Sequence, residues 1–237
     1  SFAPASPMGR LLAWAESRDF PNIGFNFEDP YLGEGGFGAS TAQFAMAYLA
    51  YAQVADLGRK WQDAWGLYRA LTAGEVLPPS GADLVSQWKG GVAFFDATDQ
   101  HTLDVWPIFD WSGIFIFSAA GKSGRKVRTH EHLADLANQG ILQEKSPLIR
   151  DLEKPLLEGV SAIREGDVLQ FGNALNDYAD VLFRAGLEAP LAREDRFAFL
   201  DLPDVIGVKG SGAMQSDAIV VLMRPGSSYR DKVIDAA

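Results

Sequence analysis

The 237-residue sequence contains no cysteine, which excludes disulfides, thiolate zinc sites and cysteine nucleophiles. Positive charge is scarce, with 21 Lys and Arg against 31 Asp and Glu and a formal net charge of −10. That balance argues against a nucleic-acid partner, whose binding rests on neutralised phosphates. A small anion needs only a local basic group, and Lys122, Arg125, Lys126 and Arg128 form the densest one. No apolar run approaches the roughly 18–20 residues that cross a bilayer. The opening stretch, Ser1 to Pro7, lacks the basic residues and apolar core of a signal peptide. Together these absences predict a cytoplasmic protein with neither a membrane nor a nucleic-acid partner. Of the three histidines, His130 and His132 stand two apart and fall on different faces of a helix, so they make no metal pair. A Ser-His-Asp hydrolase has no Gly-x-Ser-x-Gly elbow to stand on. Internal repeats and low-complexity segments are absent too, and the six tryptophans are dispersed.

The densest signal present is Gly33-Glu34-Gly35-Gly36-Phe37-Gly38-Ala39-Ser40-Thr41-Ala42. Glycines let the backbone approach a ligand closely. A helix start behind them supplies free N–H groups and a partial positive charge, so the place suits an anion, phosphate first. The spacing Gly33-x-Gly35-x-x-Gly38 also spells the dinucleotide fingerprint. That reading needs a buried apolar strand before it and an acidic residue closing a second strand about 20 residues on. Here Phe27-Glu28-Asp29-Pro30-Tyr31 precedes, and Asp56 falls inside a helical pattern. No Gly-Lys-Ser/Thr follows, so a Walker loop fails as well. Taken alone, the segment is equally an ordinary glycine-rich turn.

Periodicity predicts a short strand over residues 22–27 and helices over 40–57, 60–72 and 81–88, the last with Ser80 as N-cap. Strands are expected over 92–96, 103–108 and 113–118. Helices follow over 129–138, 147–163, 166–185 and 189–199, then strands over 205–209 and 218–223 and a last helix after Pro225. Helices bracketed by strands at hairpin spacing indicate an α+β fold rather than βαβ alternation. A boundary near residue 120 separates a glycine-loop lobe, 1–120, from a C-terminal α+β lobe, 121–237.

Two further constellations matter. Ser80-Gly81-Ala82-Asp83 puts a carboxylate in the first turn of a predicted helix, where the dipole favours its ionised form, and Gly90-Gly91 follows. Val208-Lys209-Gly210-Ser211-Gly212-Ala213-Met214-Gln215-Ser216-Asp217 lies between two apolar strands. Each has a plain reading, a surface acid at a helix start and a hairpin loop.

In their order, the three motifs resemble those of the GHMP kinase superfamily, which includes galactokinase, homoserine kinase, mevalonate kinase and phosphomevalonate kinase. Its glycine loop reads Gly-Leu-Gly-Ser-Ser-Ala-Ala, against Gly36 to Ala42 here. The mevalonate/phosphomevalonate branch carries Ser-Gly-x-Asp and then Gly-Gly, against Ser80 to Asp83 and Gly90-Gly91. The phosphomevalonate branch closes with Lys-Pro-Ser-Gly-Ala-Gly-Gly-Gly-Asp, against Lys209 to Asp217. Gly121 to Thr129 is similar to the segment of that branch in which a threonine begins a helix. The likeness runs from about residue 22 to the end.

The resemblance implies a two-lobed fold with helices packed on mixed or antiparallel sheets, and ATP and Mg²⁺ as cofactors. It implies a small-molecule substrate, mevalonate- or phosphomevalonate-like, in a monomer or homodimer. Gly35, Gly36, Gly38, Ala39, Ser40 and Thr41 would surround the ATP phosphates, with the Ser40 hydroxyl at Mg²⁺. Asp83 would take the proton of the attacking hydroxyl or orient a substrate phosphate. Lys209, Ser211, Gly212 and Ala213 would close over the transferring phosphate or the substrate, and Arg125, Lys126 or Arg128 would meet an anionic substrate. The sequence departs from the pattern in several places. Residues 1–20 show no Gly-Glu-His/Tyr opening motif, so the first lobe is expected to lack its usual N-terminal strands. Met214 and Gln215 replace glycines, and Ala39 replaces a hydroxyl. Glu75 is the one glutamate near the region of a second Mg²⁺ ligand. These departures make a catalytically impaired binding or regulatory protein on the same fold the alternative.

Overall fold

A computed structural model describes residues 2–28, 38–75, 78–90, 92–96, 101–103, 109–118, 146–188, 190–211 and 218–236. These fall into two compact units, one ending with the short strand at His101–Leu103 and the other starting at Phe109. The expected helix over 129–138 and the basic cluster at 122–128 lie outside the described residues.

Among the described residues the first unit holds four helices, α1 (Pro7–Glu16), α2 (Ala39–Val54), α3 (Trp61–Thr72) and α4 (Ala82–Lys89), and an antiparallel pair of strands, β1 (Phe94–Asp96) and β2 (His101–Leu103). Ser6 starts α1, its Oγ accepting the Gly9 N–H at 3.0 Å, with Pro7 in the first helical position where a missing N–H costs nothing. α2 is apolar nearly all round. Phe44, Ala47, Tyr48 and Tyr51 are buried, while Met46, Leu49 and Val54 remain exposed on the same helix. The buried set packs with Met8 and Leu11 of α1, Ala64 and Tyr68 of α3 and Leu84 of α4 into one core. Tyr68 meets Phe44 edge to face at 5.1 Å, and Trp61 and Trp65 meet Phe95 of β1 at 5.9 and 5.6 Å.

Among the described residues, the second unit is a three-stranded antiparallel sheet with helices packed on it. Its strand order is β3 (Ile114–Ser118), β5 (Ala218–Met223), β4 (Val205–Ser211), with Ile114 opposite Leu222 and Val208 opposite Val221. The helices are α5 (Pro147–Glu165), α6 (Val168–Arg184), α7 (Pro190–Leu200) and α8 (Arg230–Ala236). Gly166, at φ +74°, turns the chain between α5 and α6, and Asp167 caps α6 by accepting the Gln170 N–H at 2.9 Å. α6 lies directly on the edge strand β4. A Cβ at Gly172 would stand 2.7 Å from the Ile206 carbonyl oxygen, and one at Gly207 would stand 2.8 Å from the Gly172 Cα. Asn176 completes that contact, its amide donating to the Ile206 carbonyl at 3.0 Å and accepting the Val208 N–H at 3.0 Å. The side chain thus pairs backbone groups of β4 as a neighbouring strand would.

The α+β expectation holds, and each expected helix within the described residues is present within a few residues of its predicted ends. Three differences are informative. Residues 22–27 alternate between half-buried and exposed side chains but pair with no strand among the described residues; alternation says which side chains face the core and not whether a neighbouring strand exists. Gly81 caps α4 at φ +76°, ψ 12°, where Ser80 was expected; the Ser80 Oγ still accepts the Ala82 N–H at 3.3 Å. β3, which the local pattern places before a boundary near residue 120, pairs with β5 of the second unit. Helix α1 was not foreseen.

Candidate active site

Gly38 opens α2 in the left-handed conformation, φ +71°, ψ 27°. Its carbonyl accepts three donors, the Ala42 N–H at 3.1 Å, the Thr41 hydroxyl at 2.9 Å and the Gln87 side-chain amide at 2.8 Å. The conformation favours glycine, and a Cβ at this position would lie 2.5 Å from the Gln87 Nε2 and push that amide off the carbonyl. The buried Thr41 is spent on holding the turn. Ala39 and Ser40 are exposed in the first turn, where backbone N–H groups have no intrahelical partner. The result is a dipole-favoured helix start with the exposed Ser40 hydroxyl beside it.

Asp83 sits in the first turn of α4 and is exposed. α4 is fastened at both ends. The Trp65 indole donates to the Ser80 carbonyl at 2.8 Å, and the Arg69 guanidinium donates to the carbonyls of Pro78, at 3.2 Å, and Pro79. A Cβ at Gly81 would lie 2.7 Å from the Trp65 ring, so α3 grips the approach to α4. One turn beyond Asp83, Gln87 reaches the Gly38 carbonyl. Asp83 and Gln87 are four residues apart and therefore share a helix face. The face bearing the carboxylate is thus the face tied to the start of α2. The carboxylate is also felt at Tyr68, whose phenol is pushed up to about 12, first by burial and then by Asp83 and Glu75.

In the second unit, Lys209 and Ser211 occupy the last turnings of β4, with Ser211 opposite Ala218. The Lys209 ammonium donates to the Gly210 carbonyl at 2.7 Å and lies 4.8 Å from the Tyr178 ring centre. Burial pulls its pKa below the ordinary lysine value.

The chain resembles the L. major mevalonate kinase structure in complex with R-mevalonate, at 17% identity and a TM-score of 0.63, over 84% of this chain and 60% of that one. It also resembles Streptococcus pneumoniae phosphomevalonate kinase in complex with phosphomevalonate and AMPPNP, at 14% identity and a TM-score of 0.66, over 98% and 75%. Lactococcus lactis galactokinase complexed with galactose follows at 10% identity and a TM-score of 0.65, over 97% and 69%. The fold is that of the GHMP kinases. Sugar and mevalonate enzymes match about equally, so the GHMP likeness singles out no branch. The sequence matches no protein-family profile and no curated protein. The chain spans 60% of the length of the mevalonate kinase it matches.

Two features bear on the Mg²⁺ that the GHMP resemblance implies. The described residues contain no group of three or more His, Asp or Glu able to enclose a metal. An ion carried on nucleotide phosphates needs only one or two protein oxygens, and the exposed Ser40 hydroxyl at the start of α2 fits that demand. Glu75 does not add a second oxygen freely, since its carboxylate pairs with Arg10 of α1 at 2.9 Å. Gly35, Gly36, Arg125, Lys126, Arg128, Gly212, Ala213, Met214 and Gln215 lie outside the described residues. Sequence reasoning missed Gln87, Trp65 and Arg69, which hold the arrangement together. The one available signal was that Gln87 repeats Asp83 at a four-residue spacing.

Proposed function

We propose that the chain is an ATP-dependent phosphotransferase for a small anionic metabolite, acting in the manner of the mevalonate and phosphomevalonate kinases. The observation that carries this reading is the Gln87–Gly38 hydrogen bond, which ties the helix bearing Asp83 to the start of the helix behind the glycine loop. Phosphoryl transfer asks for positioning and charge neutralisation more than for covalent chemistry. Gly35, Gly36, Gly38, Ala39 and Thr41 supply the phosphate cradle in this proposal, by backbone N–H groups and a fixed helix start. Bound Mg²⁺ would neutralise charge across the phosphates, with the Ser40 hydroxyl as its protein oxygen. Asp83 accepts the proton of the attacking hydroxyl, or orients a substrate phosphate where that is the nucleophile. Lys209, Ser211, Gly212 and Ala213, and the basic residues Arg125, Lys126 and Arg128, are assigned to the anionic substrate through the resemblance.

An ADP-release assay with mevalonate and with phosphomevalonate tests the proposal. Turnover with one of them is expected, and Asp83→Asn should reduce it about 10²- to 10⁴-fold while leaving thermal stability close to unchanged, because the side chain is exposed. Absence of turnover with either compound, together with no ATP-dependent thermal shift, would overturn it. A second reading is favoured by the Arg10–Glu75 ion pair, which occupies the nearest candidate for a second metal ligand. In that reading the protein is a GHMP-fold binding or regulatory protein. It expects an ATP-dependent thermal shift without turnover, and measurable phosphorylation abolished by Asp83→Asn would eliminate it.

A further inference from the structure

β4 shows two faces. Val208 enters the core it forms with Phe199, Ile219 and Val221, all buried. Lys209 and Ser211 fall on the other face, because side chains alternate along a strand. Lys209 stands opposite Val220 of β5. Its ammonium reaches both the Gly210 carbonyl and the ring of Tyr178 on α6, 4.8 Å from the ring centre. Tyr178 is itself fixed. Half-buried, it packs against the cluster that Leu152 of α5 forms with Val181, Leu182 and Leu187. Burial raises its phenol above the ordinary value, so the ring is neutral at physiological pH. Of the acids near it on α6, Asp177 is exposed and Asp180 pairs with Arg196 of α7 at 3.0 Å.

The kind of partner matters more here than the distance. A lysine left to itself is a point charge on a flexible four-carbon stem. A carboxylate would fix that charge and cancel it at once. The face of an aromatic ring attracts the cation through its quadrupole and brings no counter-charge. The Gly210 carbonyl likewise takes one of three N–H donors without neutralising the group. The ammonium is therefore held in one place while its charge stays available to an anion. Half-buried, that charge is screened less than one at the surface.

We propose that Tyr178 is a positioning residue, whose ring face holds the Lys209 ammonium on the Ser211 side of β4 to receive the anionic group of the substrate. This role rests on the kinase reading, in which Lys209 meets that anion. Nuclear magnetic resonance titration of Lys209 in the lysine-labelled full chain, its signal assigned with Lys209→Arg, tests it. The ring favours the charged ammonium, so weakening the ring must lower the titration midpoint. Tyr178→Phe keeps the face and should leave the midpoint near its original value. One, two and three fluorines on that phenylalanine drain the quadrupole with little change of shape. They should lower the midpoint stepwise, by about 0.4–1.5 pH units in all. Tyr178→Leu should lower it by a similar amount, with thermal unfolding as the control for folding. Binding of phosphomevalonate, read on the same Lys209 signal and needing no turnover, should weaken about 2- to 30-fold across the fluorine series. A midpoint indifferent to the fluorines overturns the role of Tyr178, and so does a Lys209 signal that phosphomevalonate does not move. Both responses without turnover would uphold Tyr178 and sink the kinase reading alone.

Discussion

Tyr68 and Gly38 show how single residues feel the candidate site. The Tyr68 phenol is raised from 10.0 to about 12 by burial, then by Asp83 and Glu75, with Arg69 and Arg10 pulling the other way. In the unfolded chain the phenol ionises near 10, so between that value and about 12 the unfolded state holds fewer protons than the native one. Stability from this group is present below pH 10 and is lost as pH rises towards 12. The loss amounts to roughly 2–3 kcal/mol for a shift of about two units. Tyr68→Phe should remove that alkaline slope in denaturant unfolding while changing little at neutral pH. At Gly38 the demand is the left-handed backbone. An alanine there would have to hold φ +71° and push the Gln87 amide away. We expect Gly38→Ala to cost about 1–2 kcal/mol in stability and to diminish any ATP-dependent thermal shift more than Gln87→Ala does. Gln87→Ala loses one hydrogen bond and leaves the turn intact.

Among the elements, the α6–β4 contact depends on two glycines and one asparagine. Without a side chain at Gly172 or Gly207, the helix backbone approaches the strand closely enough for Asn176 to bridge the Ile206 carbonyl and the Val208 N–H. Asn176→Ala leaves both backbone groups unpaired on a strand edge that no other strand covers among the described residues. It should destabilise the second unit by about 2–3 kcal/mol, read by thermal unfolding and by faster amide exchange at Val208. Asn176→Asp is the informative companion. It keeps the acceptor for Val208 but sets a carboxylate oxygen against the Ile206 carbonyl, so it should cost at least as much as Asn176→Ala. Arg196 of α7 is a different kind of element tie. It is almost wholly buried, with a forked pair of contacts to Glu188 at 2.7 and 3.0 Å and a third to Asp180 at 3.0 Å.

At the scale of the molecule, most helices were legible because amphipathic or apolar periodicity over ten or more residues leaves few alternatives. α1 was not, although Ser6-Pro7 is a helix-start signature; its buried set, Met8, Leu11 and Ala15, is small and includes an alanine. The helix behind the glycine loop and Asp83's place in a first turn were visible as local chemistry. The contact between them was not, since a glutamine inside a helix looks alike whether it meets solvent or a carbonyl 49 positions away. For the same reason alternation over 22–27 revealed the inward face and said nothing of pairing.

The overlooked first helix reaches further than its position suggests. Arg10 donates to the Leu71 carbonyl at 2.7 Å and pairs with Glu75 at 2.9 Å, so it closes the C-terminal end of α3. α3 in turn carries Trp65 and Arg69, which hold the backbone from Pro78 to Ser80 just ahead of Asp83. A mechanical linkage thus runs from the tenth residue to the carboxylate proposed as the proton acceptor. Removing residues 1–16 would strip three buried side chains from the core and free the end of α3. The expected sign is loss of helicity and early melting in the first unit, while the sheet of the second unit keeps its amide protection. Anyone shortening the chain to tidy its apparent preamble would be loosening the residue the reaction is proposed to turn on.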